Sequence, residues 1–407
     1  MIPGVEGIYR QLRISEMKRI WLLGLLVQLA LCASFPLDSA SARITEQEEL
    51  IAPASPTEFE AVRIAGPFEF PWSIAFLPDN SILVTERPGR LQLIQPGSVA
   101  REVAGLPPIL KKDLAGLLDV AIDPGFAENR IVYLSYVHGT AAASTIRVLR
   151  AKLDGNRMLV DPHVIFESYP ATRSAEQLGG RIAITSDGYL FLTLGDRWKP
   201  ERAQDLSDHA GSIVRIRADG SIPKDNPFVS MHGARPEIWS YGHRNPQGLA
   251  IDARTGRLWS HEHGPMGGDE LNLIMAGRNY GWPVITYGLD YSGKPIGEGA
   301  AKEGMEQPVH HWTPSIAPSG LAIEIAGGVT VFWIGALAGQ SLVRLELEDG
   351  HIVREQHLLK DELGRIRDVR IGPDGRLYLI TDDPEGALYR LQPAVEQALR
   401  RGTRTPL

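Results

Sequence analysis

The chain has 407 residues, 43% of them hydrophobic and 22% charged, and a formal net charge of −7. That balance excludes a disordered or fibrous chain and supplies enough apolar residues for a large core. The acidic excess, with no long basic tract against it, argues against nucleic acid as a partner, and the single cysteine, Cys32, excludes a disulfide framework.

Lys18 and Arg19 precede an apolar run from Ile20 to Ala33, and Ala40-Ser41-Ala42 follows. A basic start, an apolar middle and a small-residue exit are the layout of a secretory signal peptide over residues 1–42, with Met17 as an alternative start. The run is short for a membrane span, which leaves an uncleaved anchor as the weaker alternative. Cleavage after Ala42 removes Cys32 and leaves a thiol-free mature chain, periplasmic or secreted, with no membrane span. Residues 43–60, with Glu46, Glu48 and Glu49 and with Pro53 and Pro56, read as a flexible leader.

From there one phrase returns six times: an apolar strand, a turn rich in Pro, Asp and Gly, and a second apolar strand. The copies start at Pro71, Gly116, Gly179, Gly248, Gly320 and Ile366. Units that recur at this spacing cannot bury their apolar faces singly and must stack. The reading is all-β: a six-bladed β-propeller over residues 61–395, with long loops at one end of its central channel. The intervals Asp196–Gly248 and Gly264–Gly320, rich in Gly, Pro, Asn and Asp, read as those loops. Helix is scarce. A weak helical pattern occupies Ala394–Arg401, and residues 396–407 read as a tail.

Ligands of such a ring sit at the channel mouth, among the loops. The densest polar stretch runs from Glu237 to Gly281 and holds Arg244, Asn245, Asp269 and Glu270, followed by Asp290. Glu270 and loop carbonyls suit Ca²⁺, a hard cation; a purely structural loop is the alternative. His261 and His263 stand two apart among Gly and Pro, which is not the spacing of a helical zinc motif. Arg365 and Arg367, two apart on a predicted strand, share a face and form a two-pronged cation suited to a polyanionic small molecule. The alternative is a solvated face paired with Asp361 and Glu362. Trp282, Trp312, Tyr287 and Tyr291 are candidates either for the core or for stacking on a sugar.

The stretches GLLDVAIDP, GGRIA, LGDR, AQDLSDHAGSIVRI, IPKDNPF, EIWSYGHRNPQG, EHGPMGGDE, NYGWP and RIRDVRIGPDG together resemble the soluble, periplasmic aldose sugar dehydrogenases that use pyrroloquinoline quinone (PQQ), within the glucose/sorbosone dehydrogenase group. The resemblance implies a six-bladed propeller, PQQ and Ca²⁺ as cofactors, a sugar oxidised at the anomeric carbon to a lactone, and an external electron acceptor. It implies that Arg244 and Asn245 touch the quinone and that Arg365 and Arg367 clamp its carboxylates. The carbonyls of Gly264 and Pro265 are expected to face a quinone-bound Ca²⁺, with Glu270, the backbone of Tyr280 and Asp290 at a further calcium site. Asp269 is expected to orient the catalytic base.

The chain departs from the family's pattern at that base. Gln177 stands where the family has His, and a neutral amide cannot accept a proton. Leu114 and Ala338 replace a Gln and a Lys at two further cofactor positions. Three accounts follow: a quinone enzyme that is slowed or uses another base, such as His263 or Asp269; an impaired propeller that binds a sugar or an anionic small molecule; and a protein-binding scaffold.

Overall fold

The computed structural model describes residues 59–393. The signal peptide, most of the leader and the pattern at Ala394–Arg401 lie outside the described residues. Twenty-four strands form six four-stranded antiparallel sheets. The first blade is β2 (Pro71–Phe76), β3 (Ile82–Glu86), β4 (Arg90–Ile94) and β5 (Arg101–Glu102), after β1 (Phe59–Phe68). The second is β6 (Leu117–Ile122), β7 (Ile131–Thr140), β8 (Ala143–Leu153) and β9 (Leu159–Glu167), with a single-turn helix α1 (Phe126–Asn129) between β6 and β7. The third is β10 (Gly179–Ile184), β11 (Tyr189–Leu194), β12 (Ser212–Arg217) and β13 (Ile238–Tyr241). The fourth is β14 (Pro246–Ile251), β15 (Leu258–Glu262), β16 (Asp269–Ile274) and β17 (His310–Trp312). The fifth is β18 (Pro318–Ala326), β19 (Val329–Ala336), β20 (Ser341–Glu348) and β21 (His351–Leu358). The sixth joins β22 (Ile366–Ile371), β23 (Leu377–Thr381) and β24 (Gly386–Pro393) to β1, whose Ala61 faces Leu391 and whose Val62 faces Arg390.

Each of the six sequence copies supplies the two inner strands of one blade, as expected. Two expectations need correcting. The intervals Asp196–Gly248 and Gly264–Gly320 are not simply loops: they contain the outer strands β12, β13, β16 and β17. The leader also ends earlier than residue 60, because β1 starts at Phe59.

Strand alternation explains why the ring closes without a common hydrophobic centre. Neighbouring residues on a strand face opposite sides of the sheet, so each blade has two apolar faces. Leu83 of β3 packs toward the second blade with Leu117 and Leu134, whereas the adjacent Val84 packs toward the sixth with Ile380 and Leu388. Six such clusters fill the six seams between blades. Among the described residues, no helix is long and apolar enough to cross a membrane.

The channel is lined by β2, β6, β10, β14, β18 and β22, each packed against the next and β22 against β2. All six have a register irregularity near their start, between Pro71 and Ser73 in β2 and at the matching place in the other five. Matching positions carry Ser73, Asp119, Arg181, Gly248, Gly320 and Asp368, and these meet at the hub. Arg181, 1% exposed, pairs with Asp119 at 3.3 Å and Asp368 at 3.1 Å, and its Nε donates to the Gln247 carbonyl at 3.0 Å. Its guanidinium lies 4.2 Å from the Trp72 ring centroid. Arg370 also pairs with both carboxylates. Gly248 leaves room for the His261 imidazole, which would sit 2.2 Å from an added Cβ.

Candidate active site

Inner strands start, and second strands end, at one mouth of the channel. Residues just ahead of the inner strands and just after the second strands therefore converge there. They enclose a cavity of about 280 Å³ whose lining includes Gln177, Asn245, Gln247, His263, Arg365 and Arg367. Four of the predicted site residues, Gln177, Asn245, Arg365 and Arg367, are thus brought together from blades three, four and six. Leu114 lines the same cavity.

The two arginines share a face, as their spacing requires, but their partner is neither Asp361 nor Glu362. Both pair with Asp382, just past the end of β23, at 3.1 Å for Arg365 and 3.0 Å for Arg367. Arg87 stands 3.9 Å from the same carboxylate. Arg367 also donates to the Gln247 side chain at 3.3 Å, yet its buried Nε has no hydrogen-bond partner among the described residues. A buried N–H without an acceptor is rare and costly, so this fork has donor capacity left for an anion in the cavity.

Burial alone would raise the pKa of Asp382, but the charges of Arg367 and Arg365 outweigh it and hold the carboxyl below its ordinary value. A depressed carboxyl stabilises the fold above its unfolded pKa, and that contribution fades as pH falls through the folded value. Asp382→Asn should therefore lower the melting temperature at neutral pH. The gap between variant and wild type should close as pH falls below about 4. Melting curves from pH 7 to pH 3 check this, and a gap that widens in acid contradicts it.

Gln177 is held by its backbone in the left-handed region, φ +46°. Its Oε1 accepts the Trp198 N–H at 3.0 Å, and Asp196 Oδ1 accepts the same N–H at 2.9 Å. The amide and this carboxylate are therefore neighbours. Asp196 is buried, and its other oxygen takes the Trp282 Nε1–H at 2.8 Å. Burial is the main cause that lifts its pKa to about 6, against the opposing effect of the Trp282 hydrogen bond and Arg244. The carboxylate assigned from sequence, Asp269, does not reach Gln177. It accepts from Gly264 N at 2.8 Å, Ser315 Oγ at 2.6 Å and Ala317 N at 2.8 Å, and so shapes the loop after β15. His263 lines the cavity but is a weak base: burial drives its pKa down to about 3, and the Arg244 and Arg367 charges add to that. Its Nε2 meets the Pro318 carbonyl at 2.7 Å.

Arg244 faces a second cleft that adjoins the first at Gln177 and is also lined by Pro265 and Asp290. Its NH1 donates to the Gly264 carbonyl at 2.7 Å and the His263 carbonyl at 3.0 Å. The Gly264 carbonyl expected to face Ca²⁺ thus already accepts from a guanidinium, whose charge opposes a cation at the same oxygen. Asp290 caps its own turn by accepting from Ser292. Glu270 instead faces Glu262 across the β15–β16 ladder. Burial and then the Glu262 charge push its pKa above the carboxylate range. Glu262 takes His243 Nδ1 at 2.9 Å, and Tyr280 stacks on that imidazole with ring centroids 4.6 Å apart. Asn272 donates to Glu270 at 3.1 Å, while its buried Oδ1 has no partner among the described residues. Two opposed carboxylates and a spare amide oxygen are a donor set for a hard cation. Groups of three or more His, Cys, Asp or Glu arranged to hold a metal do not occur among the described residues.

A β-propeller with a cationic mouth is a fold shared by many activities, and comparison with known proteins narrows it. The Glucose / Sorbosone dehydrogenase family model matches residues 68–390. An aldose sugar dehydrogenase of Escherichia coli is 39% identical over 84% of this chain and 94% of its own length. A glucose dehydrogenase crystal structure shares 43% identity and a TM-score of 0.79, covering 81% of this chain and 99% of that one. The PQQ-bound aldose sugar dehydrogenase of Streptomyces coelicolor shares 28% identity and a TM-score of 0.70, covering 84% and 99%. The chain belongs to the glucose/sorbosone dehydrogenase family.

Proposed function

We propose that this protein is a PQQ-dependent sugar dehydrogenase, exported to the periplasm or secreted, that oxidises an aldose at its anomeric carbon to the lactone. The observation that carries this reading is the convergence of Arg365, Arg367 and Asn245 on one cavity at the hub of the ring, with the Arg367 Nε–H still unpartnered. A tricarboxylate suits that fork, because guanidinium groups bind carboxylates in a fixed planar geometry. Bound there, PQQ would supply the two-electron oxidant for the sugar, with Arg365 and Arg367 holding its carboxylates. Asn245 and Gln247 orient the polar edge of the cavity; Asn245 Oδ1 already accepts from Gln247 at 3.0 Å. Gln177 can hydrogen-bond the anomeric hydroxyl without removing its proton. The carboxylate beside it, Asp196, raised to about 6, is the group suited to hold that proton near neutral pH.

The test is titration of apoprotein with PQQ and Ca²⁺, followed by dye reduction on adding aldoses. Quinone binding with turnover supports the reading. Gln177 favours a second one, in which the cavity binds its ligands without turnover; tight quinone binding at the background rate would select it. Absence of quinone binding would end the dehydrogenase reading and leave the second only for a sugar or another anion.

The pair Glu262 and Glu270 fits the further calcium site, though without Asp290. Calcium held by the folded state alone should raise the melting temperature, by about 2.7 kcal/mol of stability at a hundredfold excess over Kd. Glu270→Gln should abolish the rise. A shift that survives this substitution places the cation elsewhere.

A further inference from the structure

The cleft beyond Gln177 differs in kind from the cationic cavity. It measures about 270 Å³, and its walls are mostly apolar, built around Trp198, Trp282 and Tyr291. Trp198 is 48% exposed and Tyr291 61%, two large aromatic faces held in water. Their rings stand 6.0 Å apart with planes inclined at 45°, an open wedge.

Both rings are fixed. Trp198 Nε1 donates to Glu176 at 2.6 Å, and Arg244 donates to the Tyr291 hydroxyl at 3.2 Å. The Arg244 guanidinium also lies 5.4 Å from the Trp282 ring centroid, so one cation braces the whole wedge. The backbone works against its own preference to hold the indole out: Arg197 and Trp198 adopt φ +59° and +61°. A left-handed conformation is unfavourable in a bulky residue and concentrates at ligand sites. Core packing does not account for it, since half the indole is in solvent. Asp196, Asp290 and Ser292 add polar groups to the lining.

We propose that this cleft is a carbohydrate subsite for the second unit of a reducing oligosaccharide whose reducing unit lies at Gln177. A pyranose has an apolar C–H face bordered by hydroxyls, which matches exposed aromatic faces bordered by carboxylates and a serine. Gln177 lines both spaces, so a sugar at the cavity has its next residue in the wedge. The choice of a sugar rests on the sugar dehydrogenase reading above; the wedge itself does not.

Apoprotein is titrated with methyl β-D-glucoside, methyl β-cellobioside and methyl β-maltoside, none of which can be oxidised at the anomeric carbon to a lactone, and tryptophan fluorescence and calorimetry report binding. At least one disaccharide glycoside should bind about tenfold or more tightly than the monosaccharide. Trp198→Ala and Tyr291→Ala should each remove that advantage; the second lies on an exposed loop and keeps the test readable if the first disturbs folding. Equal affinity for one and two units overturns the proposal, as does loss of disaccharide binding when PQQ is added, which would assign the wedge to the quinone. If PQQ fails to bind while disaccharides do, the dehydrogenase reading falls and the subsite stands. If aldoses are oxidised with no advantage in affinity or kcat/KM for a second unit, the subsite falls alone.

Discussion

Gln177→His should raise the rate of aldose oxidation by about 10²- to 10⁴-fold, the usual worth of a positioned general base. The reasoning is geometric. Position 177 lies on the cavity wall with φ +46°, a conformation that histidine enters more readily than most residues. The glutamine amide and Asp196 both accept the Trp198 N–H, so an imidazole in the amide's place would stand beside a carboxylate. Such a neighbour fixes the ring's tautomer and stabilises the imidazolium that forms as the hydroxyl proton leaves. The gain should appear in kcat at saturating quinone and sugar, with quinone affinity unchanged and a new acidic limb in the pH–rate profile. If quinone binds both proteins equally and the rate does not rise, proton removal does not limit turnover, and the assignment of position 177 as the base site fails.

Arg181→Met should destabilise the fold by about 3–5 kcal/mol, the range for breaking a buried ion pair from one side. Asp119 and Asp368 are both fully buried at the hub and would keep only Arg370 as a cationic partner. Arg181 also donates to the Gln247 carbonyl at 3.0 Å, which ties β10 to β14. The melting temperature should fall by roughly 4–7 °C in a domain of this size. Calorimetry decides it. A change within a degree would mean that the charges at the hub are dispensable and that the six seams alone carry the ring.

The repeat made most of the architecture legible. Its inner strand pairs are apolar and joined by turns built from Pro, Asp and Gly, so their pattern survives in a single sequence. The outer strands do not: β5 is two residues long with both exposed, and β17 has three. Short edge strands take their pairing from the neighbour and need little pattern of their own. That is why the outermost strands of blades three and four, β13 with four residues and β17 with three, read as loop.

The site was legible where charge was unusual. The arginine pair, Asn245 and Gln177 do converge, while Asp269 and Asp290 have local duties instead. Asp382 and Asp196 were missed, although the repeat carried a signal for them. In four blades an acid stands at the end of the second strand or within two residues after it: Glu86 and Glu262 close β3 and β15, and Asp196 and Asp382 follow β11 and β23. Second strands run toward the mouth, so an acid in that place is delivered to it. The wedge was harder to foresee. Trp198 stands half-exposed on a left-handed backbone, which composition does not encode.

The ring is fastened by pairing β1 with β24, and this has a consequence for synthesis. β1 leaves the ribosome first among the strands, yet its partner is made last, so the circle stays open until almost the whole chain exists. Arg365, Arg367 and Asp382 all belong to that final stretch. A chain stalled before β22 therefore lacks both its clasp and its anion clamp.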